Sequence, residues 1–324
     1  MAAPSWSSTP WVATTSAWRK GRVPYETNGT ALHTLDVWIP RSLNAEDDDI
    51  ESEYVQARFG TWIIYIHGGA WRDPLIDSSS FDITASKLLN DPESSFMGII
   101  SINYPLSRHP DHPTPSGEPS EANIDPGRSA KHPDHIIAVL SAIAYVQQQI
   151  GIAHDYVLVG HSCGATLAFQ AVMDAGRWSK AASSNLPVPA IKKPSTVVGL
   201  NGLYDLPYFI HDSQGSHASL APVYADFTRG AFGDDEQDWK VVCPTVVEDW
   251  AAEWPEGRVV VMVQSKEDTL VPYSQTELMK KRLIGHSKLK VVEMDAGGDH
   301  NEIWERGDEL VAILLRTLAS LASL

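Results

Sequence analysis

The sequence predicts an α/β fold: a mostly parallel central sheet with helices on both faces. Three observations carry that expectation. Apolar runs of strand length recur along the chain, and segments with helical spacing separate them. Some of these runs, such as Thr61 to Ile66, are apolar throughout, as strands covered on both faces must be. The third is Tyr156-Val-Leu-Val-Gly160-His161-Ser162-Cys163-Gly164-Ala-Thr-Leu-Ala, an apolar run that ends in Gly-x-Ser-x-Gly and passes at once into an alanine-rich helical pattern. Strand, sharp turn and helix in that order make a nucleophile elbow, with Ser162 at its tip in a strained backbone conformation. A Cβ at Gly160 or Gly164 would collide with the neighbouring strand or helix.

In chain order, residues 1–30 are rich in Ser, Thr, Pro and Trp and show no clear period. Trp6, Trp11 and Trp18 are expected to pin this arm to the body. Leu35, Val37 and Ile39 alternate with Asp36 and Trp38 as in a strand, which Pro40 stops. Residues 41–58, with the acidic run Glu46 to Asp49, read as a solvated insertion. The strand Thr61 to Ile66 runs into His67-Gly68-Gly69-Ala70-Trp71, and a helix is expected over about 80–90. Gly98 to Tyr104 is the next buried strand, closed by Pro105.

Residues 105–133 hold seven prolines and little apolar content, the composition of a long loop or lid. Two similar tetrads, His109-Pro-Asp-His112 and His132-Pro-Asp-His135, raise the question of a metal site. Pro133 and Asp134 suit the first turn of the following helix better, and no metal is expected. Asp134 to Ile150 has apolar residues at 136, 139, 140, 143, 146 and 150, which is helical spacing, and Gly151 ends it. After the elbow come a Ser/Asn/Pro-rich connection and the strand Ser195 to Leu200. Residues 206–256 carry many aromatics in irregular helical patterns and read as a small cap. Arg258 to Val263 and Leu289 to Met294 are the last two strands, with a helix to about Ile284 between them. A helix over about 308–322 closes the chain.

The 324 residues are read as one domain, with 105–133 and 206–256 as insertions. A net charge of −16 argues against binding nucleic acid or an anionic membrane surface, since like charges repel. No apolar stretch is long enough to span a bilayer, and no basic start followed by an apolar run marks a secretion signal. Cys163 and Cys243 are expected to be free thiols, and the expected setting is cytoplasmic. A homodimer is left open.

A serine hydroxyl needs a base within hydrogen-bond reach, and the base needs an orienting acid. In this architecture both follow the nucleophile in the chain, on loops after later strands. Asp268 follows the strand ending at Val263, and Leu270-Val271-Pro272 restarts a helix directly behind it. Asp205 and Glu267 are its rivals. Of twelve histidines, only His300 follows the last strand. The expected catalytic set is therefore Ser162, Asp268 and His300. Negative charge on a carbonyl oxygen under attack needs preorganised N–H donors, each worth about 3–4 kcal/mol of barrier. Cys163 supplies one; Gly68 and Gly69 are expected to supply the rest, with Ala70 a further candidate. His67 is expected to hydrogen-bond its own loop.

His-Gly-Gly-x-Trp together with Gly-x-Ser-x-Gly resembles the kynurenine formamidase (arylformamidase) branch of the α/β-hydrolase superfamily. Hormone-sensitive-lipase-like esterases usually have a third glycine where Ala70 stands. The resemblance continues through Asn103-Tyr104-Pro105, Asp268-x-Leu-Val-Pro272 and His300, and the long insertions are similar to fungal-type members. It implies an α/β-hydrolase fold and a small-molecule aryl formamide as substrate, N-formyl-L-kynurenine, with no metal or organic cofactor. Trp71 and Tyr104, with aromatics of the 206–256 cap, are then expected to line the pocket. Alternatives carried alongside are a carboxylesterase or secondary-metabolism hydrolase with the same machinery, a non-catalytic binding module, and a metal-dependent amidohydrolase built on the two tetrads.

Overall fold

A computed structural model describes residues 6–41, 60–109, 126–179, 187–285 and 288–322. The expected insertion from residue 42 onward, its acidic run, and the first tetrad beyond His109 lie outside the described residues. Among the described residues nine strands form one sheet: β1 (Val12–Ala13), β2 (Ala17–Pro24), β3 (Thr34–Pro40), β4 (Trp62–Ile66), β5 (Gly98–Ile102), β6 (Tyr156–His161), β7 (Thr196–Leu200), β8 (Val259–Ser265) and β9 (Lys290–Ala296). Their order is β1-β2-β3-β5-β4-β6-β7-β8-β9. The six strands from β5 to β9 run parallel, and β1 to β3 extend the sheet as an antiparallel edge. All seven strands expected from apolar runs are present; β1 and β2 are additional.

Every residue of β4 to β8 is buried, which is why those runs are apolar without alternation. Successive side chains divide between the two faces. Ile64, Ile66, Leu158 and Val197 join one core cluster with helices α2 (Asp134–Ile150) and α3 (Cys163–Gln170). Ile63, Tyr65, Val157 and Val159 join the other, with α1 (Asp82–Leu89) and the C-terminal helix α11 (Asp308–Ala322). Between them in sequence lie α4 (Ala175–Trp178), α5 (Leu206–His211), α6 (Ala221–Phe232), α7 (Glu236–Val241), α8 (Trp250–Glu253), α9 (Ser274–Leu283) and α10 (Glu302–Arg306). Phe209, Tyr224, Phe227, Trp239 and Trp250 of the 206–256 segment pack into the first cluster. Among the described residues no helix is long and apolar enough to cross a membrane.

The strand order fixes where a site can form. The chain steps from β4 out to β5, then returns past β4 to lay down β6. Crossovers on either side of that reversal part from each other, leaving a crevice beyond the carboxyl ends of β4 and β6. The loop His67 to Trp71 leaves β4 there, and Ser162 leaves β6 there.

Candidate active site

Ser162 sits between β6 and α3 with φ 55° and ψ −122°, a conformation L-residues rarely adopt. The turn is tight enough to exclude side chains on both flanks. A Cβ on Gly160 would lie 2.2 Å from the Gly164 carbonyl oxygen, and one on Gly164 would lie 2.3 Å from the Ile66 carbonyl oxygen. Ser162 N–H donates to the Leu200 carbonyl at 2.8 Å, which ties the strained residue to β7. Its hydroxyl has no protein hydrogen-bond partner among the described residues, and it faces a cavity of about 220 Å³ that His300 also lines.

The His300 ring is oriented from behind. Nδ1 lies 2.8 Å from Asp268 Oδ2; the carboxylate accepts, so Nδ1 carries the proton and Nε2 is left as the basic nitrogen. Asp268 Oδ1 accepts the N–H groups of Leu270 and Val271 at 2.8 and 2.7 Å. Gln264 Nε2 donates to Oδ2 at 3.1 Å. Every lone-pair direction that fixes this carboxylate is therefore occupied. Its rival Asp205 is engaged elsewhere: it caps α5 by accepting Tyr208 N–H at 3.0 Å and takes the Thr245 hydroxyl at 2.8 Å. Glu267 Oε2 accepts Gly298 N–H at 2.9 Å, bracing the histidine loop from outside.

Sequence reasoning missed four supports of this arrangement. His161 Nε2 donates to the His300 carbonyl at 3.0 Å, and Asn201 Nδ2 donates to the same oxygen at 3.1 Å. Burial and the neighbouring His300 hold the His161 imidazole well below the usual histidine range, so it is neutral. Asp299 accepts N–H groups from both His300 and Thr269, at 2.7 and 2.9 Å, joining the histidine loop to the aspartate loop. The hydrogen bond to Thr269 N–H is the largest influence holding its carboxyl below the ordinary value. Gln264 is the fourth. Only His161 had a sequence signal, its place inside the elbow motif; the others are lone polar residues that gain meaning from tertiary neighbours.

The loop after β4 approaches Ser162 through bare backbone. A Cβ on Gly68 would lie 2.7 Å from His161 Nδ1 and 3.0 Å from Ser162 Cβ, so only hydrogen fits. Gly69, Ala70 and Trp71 all have positive φ, at 94°, 49° and 58°. Gly69 and Ala70 reach the cavity wall, while Gly68 stands behind it. The N–H groups of Gly69 and Cys163 have no protein acceptor among the described residues. Trp71 N–H donates to Cys163 Sγ at 3.2 Å. Burial pushes that thiol up to about 11, and both cysteines are free. His67 Nδ1 bonds the Gly68 carbonyl at 2.9 Å and its ring stacks on Tyr104, consistent with a loop-holding role.

Trp71 and Tyr104, expected on the pocket wall, are completely buried and do not line the cavity. The positive φ of Trp71 turns its indole inward against the edge of Phe232, with ring centroids 4.9 Å apart. Tyr104 pins the loop from below, its hydroxyl donating to the His67 carbonyl at 3.0 Å. The 206–256 aromatics, the other part of that expectation, do reach the wall, through Phe209, Tyr224 and Phe227, with Leu220, Val223 and Leu270 nearer solvent. A larger cleft of about 610 Å³ lies at the opposite ends of the strands, beside Thr61, Asp155 and Ser195, and carries none of these residues.

Of the tetrad histidines, His132 donates from Nε2 to the Trp178 carbonyl at 2.9 Å and His135 bonds the Ser107 hydroxyl at 3.0 Å. Desolvation lowers both, His132 to about 4 and His135 to about 3, and lowers His67 to about 4. These rings are neutral when buried and charged when the unfolded chain meets acid. Above the unfolded value near 6.5 they add no pH dependence; below it the unfolded state binds more protons, and stability falls as pH drops toward 4. Each of these histidines, with His161 a fourth, contributes about 1.4 kcal/mol per pH unit in that window. Urea unfolding at pH 7, 6, 5.5 and 5 is expected to show this steep loss, and a flat profile would contradict it.

A model of the alpha/beta hydrolase family matches residues 63–313. A kynurenine formamidase-like hydrolase of Fusarium equiseti is 33% identical, over 93% of this chain and 95% of its own. A kynurenine formamidase of Aspergillus versicolor is 31% identical, over 88% and 95%. Among solved structures, esterase B from Lactobacillus rhamnosis superposes with a TM-score of 0.63 at 15% identity, over 97% of this chain and 89% of that one. A hormone-sensitive lipase from a metagenome library gives 0.57 at 15% identity, over 96% and 86%.

Proposed function

This chain is a hydrolase of the alpha/beta hydrolase family, on its kynurenine formamidase branch, and from that premise we propose that it cleaves the formamide of N-formyl-L-kynurenine to kynurenine and formate. The observation that supports this reading most is the pairing of His300 with Asp268 at 2.8 Å beside the cavity that Ser162 enters on its left-handed turn.

In this reading His300 Nε2 takes the Ser162 hydroxyl proton as Oγ bonds to the formyl carbon. The carbonyl oxygen becomes an anion and rests on N–H groups of Cys163 and the 68–70 loop, with the positive end of α3 behind it. Gly69 is the best-presented donor of that loop, and Gly68 and Ala70 flank it. The C–N bond then breaks as protonated His300 returns its proton to the aniline nitrogen, which leaves poorly as an anion. Water enters, gives a proton to His300, and attacks the formyl carbon; formate departs and Oγ recovers the proton. Asp268 holds the ring and stabilises the imidazolium throughout. The sequence of steps needs no metal or organic cofactor. The aryl ring fits against Phe209, Tyr224 and Phe227. Two free thiols suit a cytoplasmic setting.

Steady-state rates on N-formyl-L-kynurenine and on short p-nitrophenyl esters test the reading. Turnover of the formamide with release of formate, and a fluorophosphonate adduct on Ser162, are expected. Fast ester turnover with none on the formamide would assign the chain to the carboxylesterases instead.

A further inference from the structure

The cavity is apolar over most of its wall, yet Arg72, next to the positive-φ loop, lines it, the one arginine or lysine among the described lining residues. Its guanidinium lies 5.9 Å from the centre of the Phe227 ring, and the side chain as a whole is 12% exposed. Nη1 donates to Asp226 Oδ2 at 2.6 Å, and Asp226 is well exposed on α6. Nε and Nη2 have no acceptor among the described residues. A guanidinium offers five donors in a planar fork that matches a carboxylate. Here one edge of the fork is anchored while the rest stays free. The chain's net charge of −16 repels an approaching anion, so an anionic substrate needs a local cation at its destination.

We propose that Arg72 is a specificity-determining residue that takes a carboxylate on the substrate, so that the site prefers an aryl amide bearing an acidic side chain over its uncharged counterpart. Asp226 positions the guanidinium and yields part of it when the carboxylate arrives, since an ion pair with so exposed a partner is weak. This inference rests on the formamidase reading, for which the carboxylate is the α-carboxylate of formylkynurenine.

The test compares N-formyl-L-kynurenine with its methyl ester on the wild type, Arg72→Gln and Arg72→Lys. The wild type should prefer the free acid. In Arg72→Gln the ratio of kcat/KM for acid over ester should fall about 100-fold, mainly through KM, as removal of one partner from a desolvated charge pair does. Arg72→Lys should restore part of it, because charge returns without the fork. Equal losses on both compounds would mean that Arg72 only holds the fold, and would overturn the proposal. Should Arg72→Gln fail to fold, inhibition of the wild type by kynurenine and by kynurenine methyl ester decides, equal potency counting against Arg72. Absence of turnover on both formamides would count against the formamidase reading alone. A pair of aryl acetates with and without a ring-side carboxylate would then ask the same question of Arg72.

Discussion

Ser162→Ala is expected to lower kcat on any substrate of this site by about a million-fold while leaving the protein folded. The hydroxyl makes no hydrogen bond among the described residues, so its removal leaves no buried group unsatisfied. The backbone strain at φ 55° is unchanged, because alanine carries the same Cβ. The variant should therefore melt within a few degrees of the wild type and still bind substrate. A residual rate within about ten-fold of wild type, in protein free of wild-type contamination, would remove Ser162 as nucleophile, since the remaining donors alone supply only a small part of the acceleration.

Asp268→Asn should cost about 10,000-fold in kcat, for a reason set by the hydrogen bonds already described. The amide oxygen must stay at Oδ1, where Leu270 and Val271 N–H groups point at it. The amide nitrogen then occupies the Oδ2 position, facing His300 Nδ1 on one side and the Gln264 amino group on the other. Donor meets donor on both sides. The imidazole is driven to the tautomer protonated on Nε2, which cannot accept the serine proton. Single-turnover kinetics beside a melting curve separate this from unfolding. Activity near wild type would transfer the role of acid to another carboxylate.

The core of the sheet was legible because β4 to β8 are buried on both faces and their sequences contain almost nothing polar. The antiparallel edge was not. In β2 an inward position is Lys20, buried with its ammonium 4.7 Å from the Trp11 ring centre, and the register slips between Lys20 and Val23. A buried lysine and a bulge erase the period-two signal. The three candidate catalytic residues were legible because each closes a strand in a fixed order along the chain. Trp71 and Tyr104 were misread because adjacency to the loop says nothing about which side of it a ring takes. The 206–256 aromatics were legible as a cap but not individually: Phe209, Tyr224 and Phe227 face the cavity, whereas Trp239 and Trp250 are buried in the core.

The His300 carbonyl is gripped by His161 and Asn201, at the tips of β6 and β7, whereas the aromatic wall of the cavity hangs from α5 and α6. The His300 backbone is thus set from the scaffold's centre, while the roof braces the Asp268 loop, where His217 Nε2 donates to the Asp268 carbonyl at 3.0 Å and the Tyr224 hydroxyl to the Leu270 carbonyl at 2.8 Å. Residues 206–256 can be remodelled, in evolution or by grafting, to admit differently shaped substrates so long as His217 and Tyr224 keep their hold on the aspartate loop.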